Sequence, residues 1–470
     1  MPGRPVHTLI ILAAAHVALA GPVRAEPAAP KLPTFSFRAD EIFNLIYQLD
    51  CLPRGDDCAF QRLWKQQLGW TAADDQALER RREIRRRYSG WITMDDQFDD
   101  APLMLDAPRM LELKKKLQLA AAGARDIPDY QARLELVVSP GDAAELAAIV
   151  QGFLPRFRKY FSGVRPRMKL LTRELGPHLD KPEVRRIVAQ TMAFYEVPAQ
   201  QSRHVPVQLV PLPPDWTGPF SGEQVEHLAV IEFKTAPALE AKDRRRGHTG
   251  SIVLHELFHY FYGSARGEKA RALAAAFADS QAPGGPAAYG LINEALATVF
   301  SVLSRKAFLT PEEFQAEMAS GRPWYRDTAI DASARAALPM VEAMLARGET
   351  LYDARFVPEY VKAQRAGMGA ALDRPALKLR TLLLVAEDPE LRPAIQAIQR
   401  AQAAGRAQTA IPLEQPEMLK TWLKHPEASG VLVVRGGSLG KLRQYEAVLG
   451  KGIVEKLAAV RKQHRAFVQA

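Results

Sequence analysis

Residues 251–263 read SIVLHELFHYFYG, and the interpretation of the whole chain turns on this stretch. Ile252, Val253, Leu254, Leu257, Phe258, Tyr260 and Phe261 are uncharged and no proline interrupts them, the pattern of a helix buried nearly all round. Within it stands His255-Glu256-Leu257-Phe258-His259. Positions four apart on an α-helix differ by about 40° in direction, so both imidazoles leave one face, a turn apart. That separation suits two nitrogen ligands on one tetrahedral zinc ion. Glu256 stands beside the pair, where it can act on a water as a base without being a ligand. Two histidines in so apolar a helix need partners, and a metal satisfies both. With ten histidines in 470 residues, a chance HExxH is expected in roughly one such chain in a hundred.

A catalytic zinc site needs a third protein ligand and an open position. The residues from Tyr260 to Glu268 (YFYGSARGE) contain no histidine, so that ligand comes from elsewhere. Glu294 is the lone acid of an apolar, helix-patterned run, LINEALATVF at 291–300. A carboxylate there is costly unless it is paired or bound to metal. Small Ala295 and Ala297 would let this helix approach the first one closely.

Together the two segments resemble the gluzincin zinc peptidases, in which HExxH is followed on a second helix by a glutamate in an (N/W/G)ExxA context. The resemblance covers about fifty residues, 250–300, and the strand before them. It aligns His255, His259 and Glu294 with the zinc ligands and Glu256 with the general base. It implies hydrolysis of a peptide or protein substrate, with zinc activating the water and polarising the scissile carbonyl. Thermolysin-like members carry an Asp four residues after the glutamate ligand, orienting a zinc histidine; Thr298 stands there instead. Asn293, Thr298 or a backbone carbonyl are the candidates for that orienting role. In zincins a strand ahead of the active-site helix commonly forms the sheet edge along which substrate lies, and HLAVIEF at 227–233 has that place. An ordinary core strand reads the same way. For the donor that stabilises the oxyanion, Tyr325, Tyr352, Tyr360 and His425 are available, with Tyr360 or Tyr352 the first choice.

Working outward, the expected fold class is α+β and predominantly helical. A zincin-like catalytic domain spans 132–365, with an N-terminal helical region at 26–131 and a small C-terminal α/β region at 366–470. Strands are expected at 132–139 (ARLELVVS), 205–212 (VPVQLVPL), 227–233, 381–385 (TLLLV) and 430–434 (GVLVV). The last two each precede a helical stretch. The prolines of VPVQLVPL suggest an edge position.

At the N-terminus, Arg4 precedes an apolar run from Thr8 to Ala20, and Val23-Arg24-Ala25 has small residues at the right spacing for cleavage. Residues 1–25 therefore read as a secretory signal peptide, which makes the chain periplasmic or secreted. In an oxidising compartment Cys51 and Cys58, seven apart around a Pro-Arg-Gly turn, read as a disulfide that closes a small loop. Two cysteines exclude a disulfide framework and a cysteine-ligated zinc ribbon. No run of eighteen apolar residues is present, so no ordinary transmembrane helix is expected.

The chain carries 63 Lys+Arg against 53 Asp+Glu, a net charge of +10. Basic runs lie at 80–87 (RRREIRRR), 114–116 and 244–246. No nucleic-acid motif accompanies them, so nucleic acid is not an expected partner; contact with the cell envelope through a basic surface is the alternative to plain solvated helix faces. The leading functional expectation is an exported zinc-dependent peptidase. The alternative is a non-catalytic envelope protein that keeps zinc as a structural or binding element, and a third reading is a metal-independent helical protein with a chance HExxH.

Overall fold

The alternating aromatics of TFSFR place a strand, β1 (Thr34–Arg38), at the start of a region expected to be helical. In this computed structural model residues 32–88, 113–197, 204–218, 222–225, 228–234, 242–264, 267–280 and 284–374 are described, with Leu377, three strands and a few isolated positions beyond them. Residues 1–25, His425 and the stretches after TLLLV and GVLVV where helices are expected lie largely outside the described residues.

After β1 come α1 (Glu41–Cys51), α2 (Ala72–Tyr88), α3 (Leu113–Ala121), α4 (Ile127–Leu134), α5 (Pro140–Leu179) and α6 (Pro182–Phe194). Strands β2 (His204–Leu212), β3 (Gly222–Val225) and β4 (Leu228–Lys234) follow. Then come α7 (Lys242–Gly263), α8 (Gly267–Ala278), α9 (Gly285–Arg305), α10 (Pro311–Ala319), α11 (Thr328–Arg347) and α12 (Phe356–Met368). The chain is thus mostly helical around a small mixed sheet of order β1-β2-β4-β3, in which only β3 runs antiparallel. Near the C-terminus β5 (Thr381–Ala386), β6 (Arg406–Ala410) and β7 (Ser429–Val433) form a parallel sheet of order β6-β5-β7. Residues 32–470 make up one compact unit.

Two expectations about strands are corrected. Strand β2 is interior, between β1 and β4, despite its prolines. The stagger of the sheet explains this. Pairing with β1 covers 204–208 and pairing with β4 covers 207–212, so Pro206 and Pro211 each have a neighbouring strand on one side only. A missing N–H is tolerated where no ladder bond is due. Residues 132–139 form no strand: they are the end of α4, a turn closed by Val138 N–H on Leu134 O (2.9 Å), and Ser139, which caps α5. Here local hydrogen bonding wins over β-branched composition. Leu134 and Val138 turn inward while Leu136 is left 88% exposed.

The disulfide Cys51–Cys58 is formed, with the Cα atoms 5.4 Å apart. Beside it, one arginine of the basic run departs from the expected solvated face. Arg81 is buried and donates to Asp50, itself at the end of α1. Arg85 (3.5 Å) and Gln118 (3.4 Å) also donate to Asp50. Truncating one partner strands the other charge without solvent. Asp50→Ala is therefore expected to lower stability by about 3–5 kcal/mol, read as a shift of the urea or thermal midpoint. A change below about 1 kcal/mol would show that Arg81 finds water instead.

Helix α9 takes its character from its apolar sequence. It is long and apolar enough to cross a membrane, yet it is largely buried within the protein. It packs on α7, where Glu294 meets the two histidines and Ser301 Oγ donates to Ser251 O at 2.9 Å; Ala295 and Ala297 are fully buried. This close pairing of α7 and α9 positions the site.

Candidate metal centre

Helical spacing alone points His255 and His259 the same way, and their Nε2 atoms lie 3.0 Å apart. From α9 the Oε2 atom of Glu294 comes to 3.6 Å from His255 Nε2 and 3.4 Å from His259 Nε2. Among the described residues these three side chains form the one group able to hold a metal ion. Ligands about 2.1 Å from a tetrahedral centre stand roughly 3.4 Å from one another, so the observed separations suit a single ion. Glu294 Oε2 is itself buried and stands 3.4 Å or more from either imidazole, so the histidines offset its charge without a close hydrogen bond.

The tautomer is set from outside the group. His259 Nδ1 lies 2.9 Å from Asn293 Oδ1, so Nδ1–H donates to the amide oxygen and Nε2 is the nitrogen left to face the centre. Of the three orienting candidates, the structure brings Asn293 to His259. Thr298 is buried on α9 and its Oγ1 makes no hydrogen bond among the described residues. Asn293→Ala is expected to weaken metal binding about 10–100-fold in a chelator competition, with the fold intact by circular dichroism. Unchanged affinity would mean that His259 is held by packing alone.

The electrostatics of the group favour positive charge. Burial works against a charged His259, but Glu294, and then Glu256 and Asn293, outweigh it and push the imidazole up to about 9. Burial would likewise raise Glu294, yet the two histidines beside it hold its carboxyl well below the usual range. Glu256 is 6% exposed and stands outside the three-donor group. Burial raises its pKa; His255 and His259 oppose the rise while Glu294 and Glu223 add to it. A carboxylate with a raised pKa is suited to accept a proton near neutral pH.

The sheet presses on this carboxylate. A Cβ added at Gly222 would stand 2.4 Å from Glu256 Oε1 and 2.8 Å from its Cγ, so a larger residue there would push the carboxylate out of its place. The edge beside the site is therefore β3, not the strand that leads into α7. Its next residue, Glu223, pairs with Lys114 of α3 at 3.4 Å.

The tyrosines are placed differently from the first choice. Tyr360 is fully buried on α12 against Phe277 and Phe356, with its hydroxyl 3.3 Å from Ser333 Oγ. Tyr352 lies under Lys269, 5.4 Å from its ring centre. Neither is brought to the metal group. Tyr325 is: its ring is 5.9 Å from that of His255, and its phenol, raised chiefly by burial, reaches Glu294. The backbone of its loop is held by Asp331 Oδ1, which accepts from Trp324 N–H at 2.5 Å and from Tyr325 N–H at 3.3 Å. Nothing in WYRDTAID separates this tyrosine from its neighbours, because its role depends on where the loop between α10 and α11 returns. The chain matches no family model, no curated protein and no solved structure.

Proposed function

We propose that the chain is an exported zinc-dependent peptidase of gluzincin type, with a zincin-like core built on the mixed sheet, α7 and α9. The observation that carries this reading is the convergence of His255, His259 and Glu294 on one point, with Glu256 buried beside them and outside the ligand set. A purely structural site has no use for such a base. Two imidazoles and one carboxylate are a common donor set for catalytic zinc. The disulfide agrees with an oxidising compartment, which supports export and a periplasmic or secreted location.

When bound there, zinc supplies Lewis acidity that makes a water more acidic and a carbonyl more electrophilic. The chain's own residues do the rest. Glu256, held against Gly222, accepts the proton of the attacking water and returns it to the leaving amine. Asn293 keeps the His259 proton on Nδ1, and Tyr325 offers a hydroxyl to the charge that develops on the substrate oxygen. The antiparallel edge strand β3 offers main-chain groups with which an extended peptide can pair.

The test is the metal content of residues 26–470 by mass spectrometry, alongside His259→Ala and Glu294→Ala, with cleavage of a peptide library as the second readout. About one zinc per chain, lost in both variants, and cleavage abolished by a chelator are the expected results. A chain that takes up no zinc on reconstitution overturns the reading.

A further inference from the structure

Away from the metal centre, the outer face of α5 has a composition of its own. Between Arg156 and Arg173 the helix carries seven basic residues and no acid. Its inner face is apolar, with Phe153, Phe157, Phe161, Met168 and Leu175 buried. Arg156 and Arg158 are used in ion pairs with Asp74 (2.6 Å) and Glu41 (2.9 Å). Lys159, Arg165, Lys169 and Arg173 are exposed, and no acid among the described residues pairs with them. Spaced four apart, Arg165, Lys169 and Arg173 stack along one side of the helix, and with Lys159 they make a cationic strip roughly 20 Å long.

Two apolar features accompany the strip. Leu170, next to Lys169 towards the Arg173 end, is 43% exposed. At the Lys159 end a surface cavity of about 270 Å³ is lined by Leu63, Gln67, Leu68, Arg156, Lys159 and Tyr160, an apolar wall under a cationic rim. A soluble polyanion has no use for either feature. A surface that presents anionic headgroups above hydrocarbon uses both, the basic heads meeting phosphate while apolar side chains enter the interface.

We propose that the outer face of α5, from Lys159 to Arg173, docks the protein on an anionic phospholipid bilayer, with Leu170 entering the interface and the cavity beside Lys159 receiving a lipid headgroup. The surface is independent of the metal centre and of the reaction proposed for it.

Residues 26–470, which hold the whole compact unit and lack the apolar run Thr8–Ala20, are sedimented with phosphatidylglycerol/phosphatidylcholine vesicles and with pure phosphatidylcholine vesicles. Binding to the first and not to the second is expected, weakening with salt. Each basic residue at an anionic surface contributes about fivefold, so Arg165→Gln/Lys169→Gln/Arg173→Gln should cost roughly a hundredfold. A control that removes three exposed charges elsewhere, Lys116→Gln/Arg271→Gln/Lys362→Gln, should cost less than about threefold. Equal thermal midpoints show that all forms are folded. The proposal is overturned by no binding to anionic vesicles, by equal binding to both vesicle types, or by equal losses in the two triple variants. Stronger binding to heparin than to vesicles at the same salt also overturns it, and makes the strip a general polyanion surface.

Discussion

Glu256→Gln is expected to lower peptide hydrolysis by about 10²–10⁴-fold while leaving the bound metal in place. The amide has the shape of the carboxylate, so it still fits against Gly222, whose missing side chain leaves room for it. What it loses is the ability to accept a proton. Glu256 lies outside the group formed by His255, His259 and Glu294, so the ligand set is untouched. Steady-state rates on a cleaved peptide, with metal content measured on the same sample, separate the outcomes. Full activity in the variant would remove Glu256 from the chemistry. Loss of the metal would instead make it a ligand. In a protein that merely stores or binds zinc, the substitution would leave ligand binding and stability nearly as they were.

Tyr325→Phe should cost about 10²–10³-fold in kcat with little change in KM, the behaviour expected when a donor acts mainly on charge that develops in the transition state. Tyr360→Phe provides the contrast. Its hydroxyl meets Ser333 Oγ inside the core, so its loss should cost about 1 kcal/mol of stability and leave kcat alone. If instead Tyr360→Phe lowered kcat and Tyr325→Phe did not, the role proposed for Tyr325 would be overturned. The loop around Tyr325 is anchored through Asp331, so Asp331→Ala should reproduce part of the Tyr325 defect by letting that loop drift.

What was legible from sequence is what helix geometry decides locally. The four-residue spacing of His255 and His259 sets their common direction whatever surrounds them. Glu294 stood out because a lone acid in an apolar helix has to be compensated, and the structure carries it to the two imidazoles. The pairing of Cys51 with Cys58 followed from their short separation. The strands at VPVQLVPL, HLAVIEF, TLLLV and GVLVV were legible from β-branched runs between breakers. By the same logic ARLELVVS was misread, because two helix caps, at Asp126 and Ser139, claimed its flanks.

Only the tertiary structure decided the rest, and in each case the reason is a contact between residues far apart in the chain. That β2 lies inside the sheet depends on the offset of β1 against β4, which no proline can reveal. That β3 is the edge beside Glu256, and that Gly222 makes room for it, depends on how the sheet meets α7. Asn293, rather than Thr298, meets His259 because it lies beside Glu294 at the level where α9 faces the two histidines. Tyr325 rather than Tyr360 reaches the centre because the loop before α11 folds back over it, while α12 turns its own tyrosine into the core. Periodicity fixes the direction of a side chain on its own helix; which partner it meets is set by packing between elements that the local sequence does not encode.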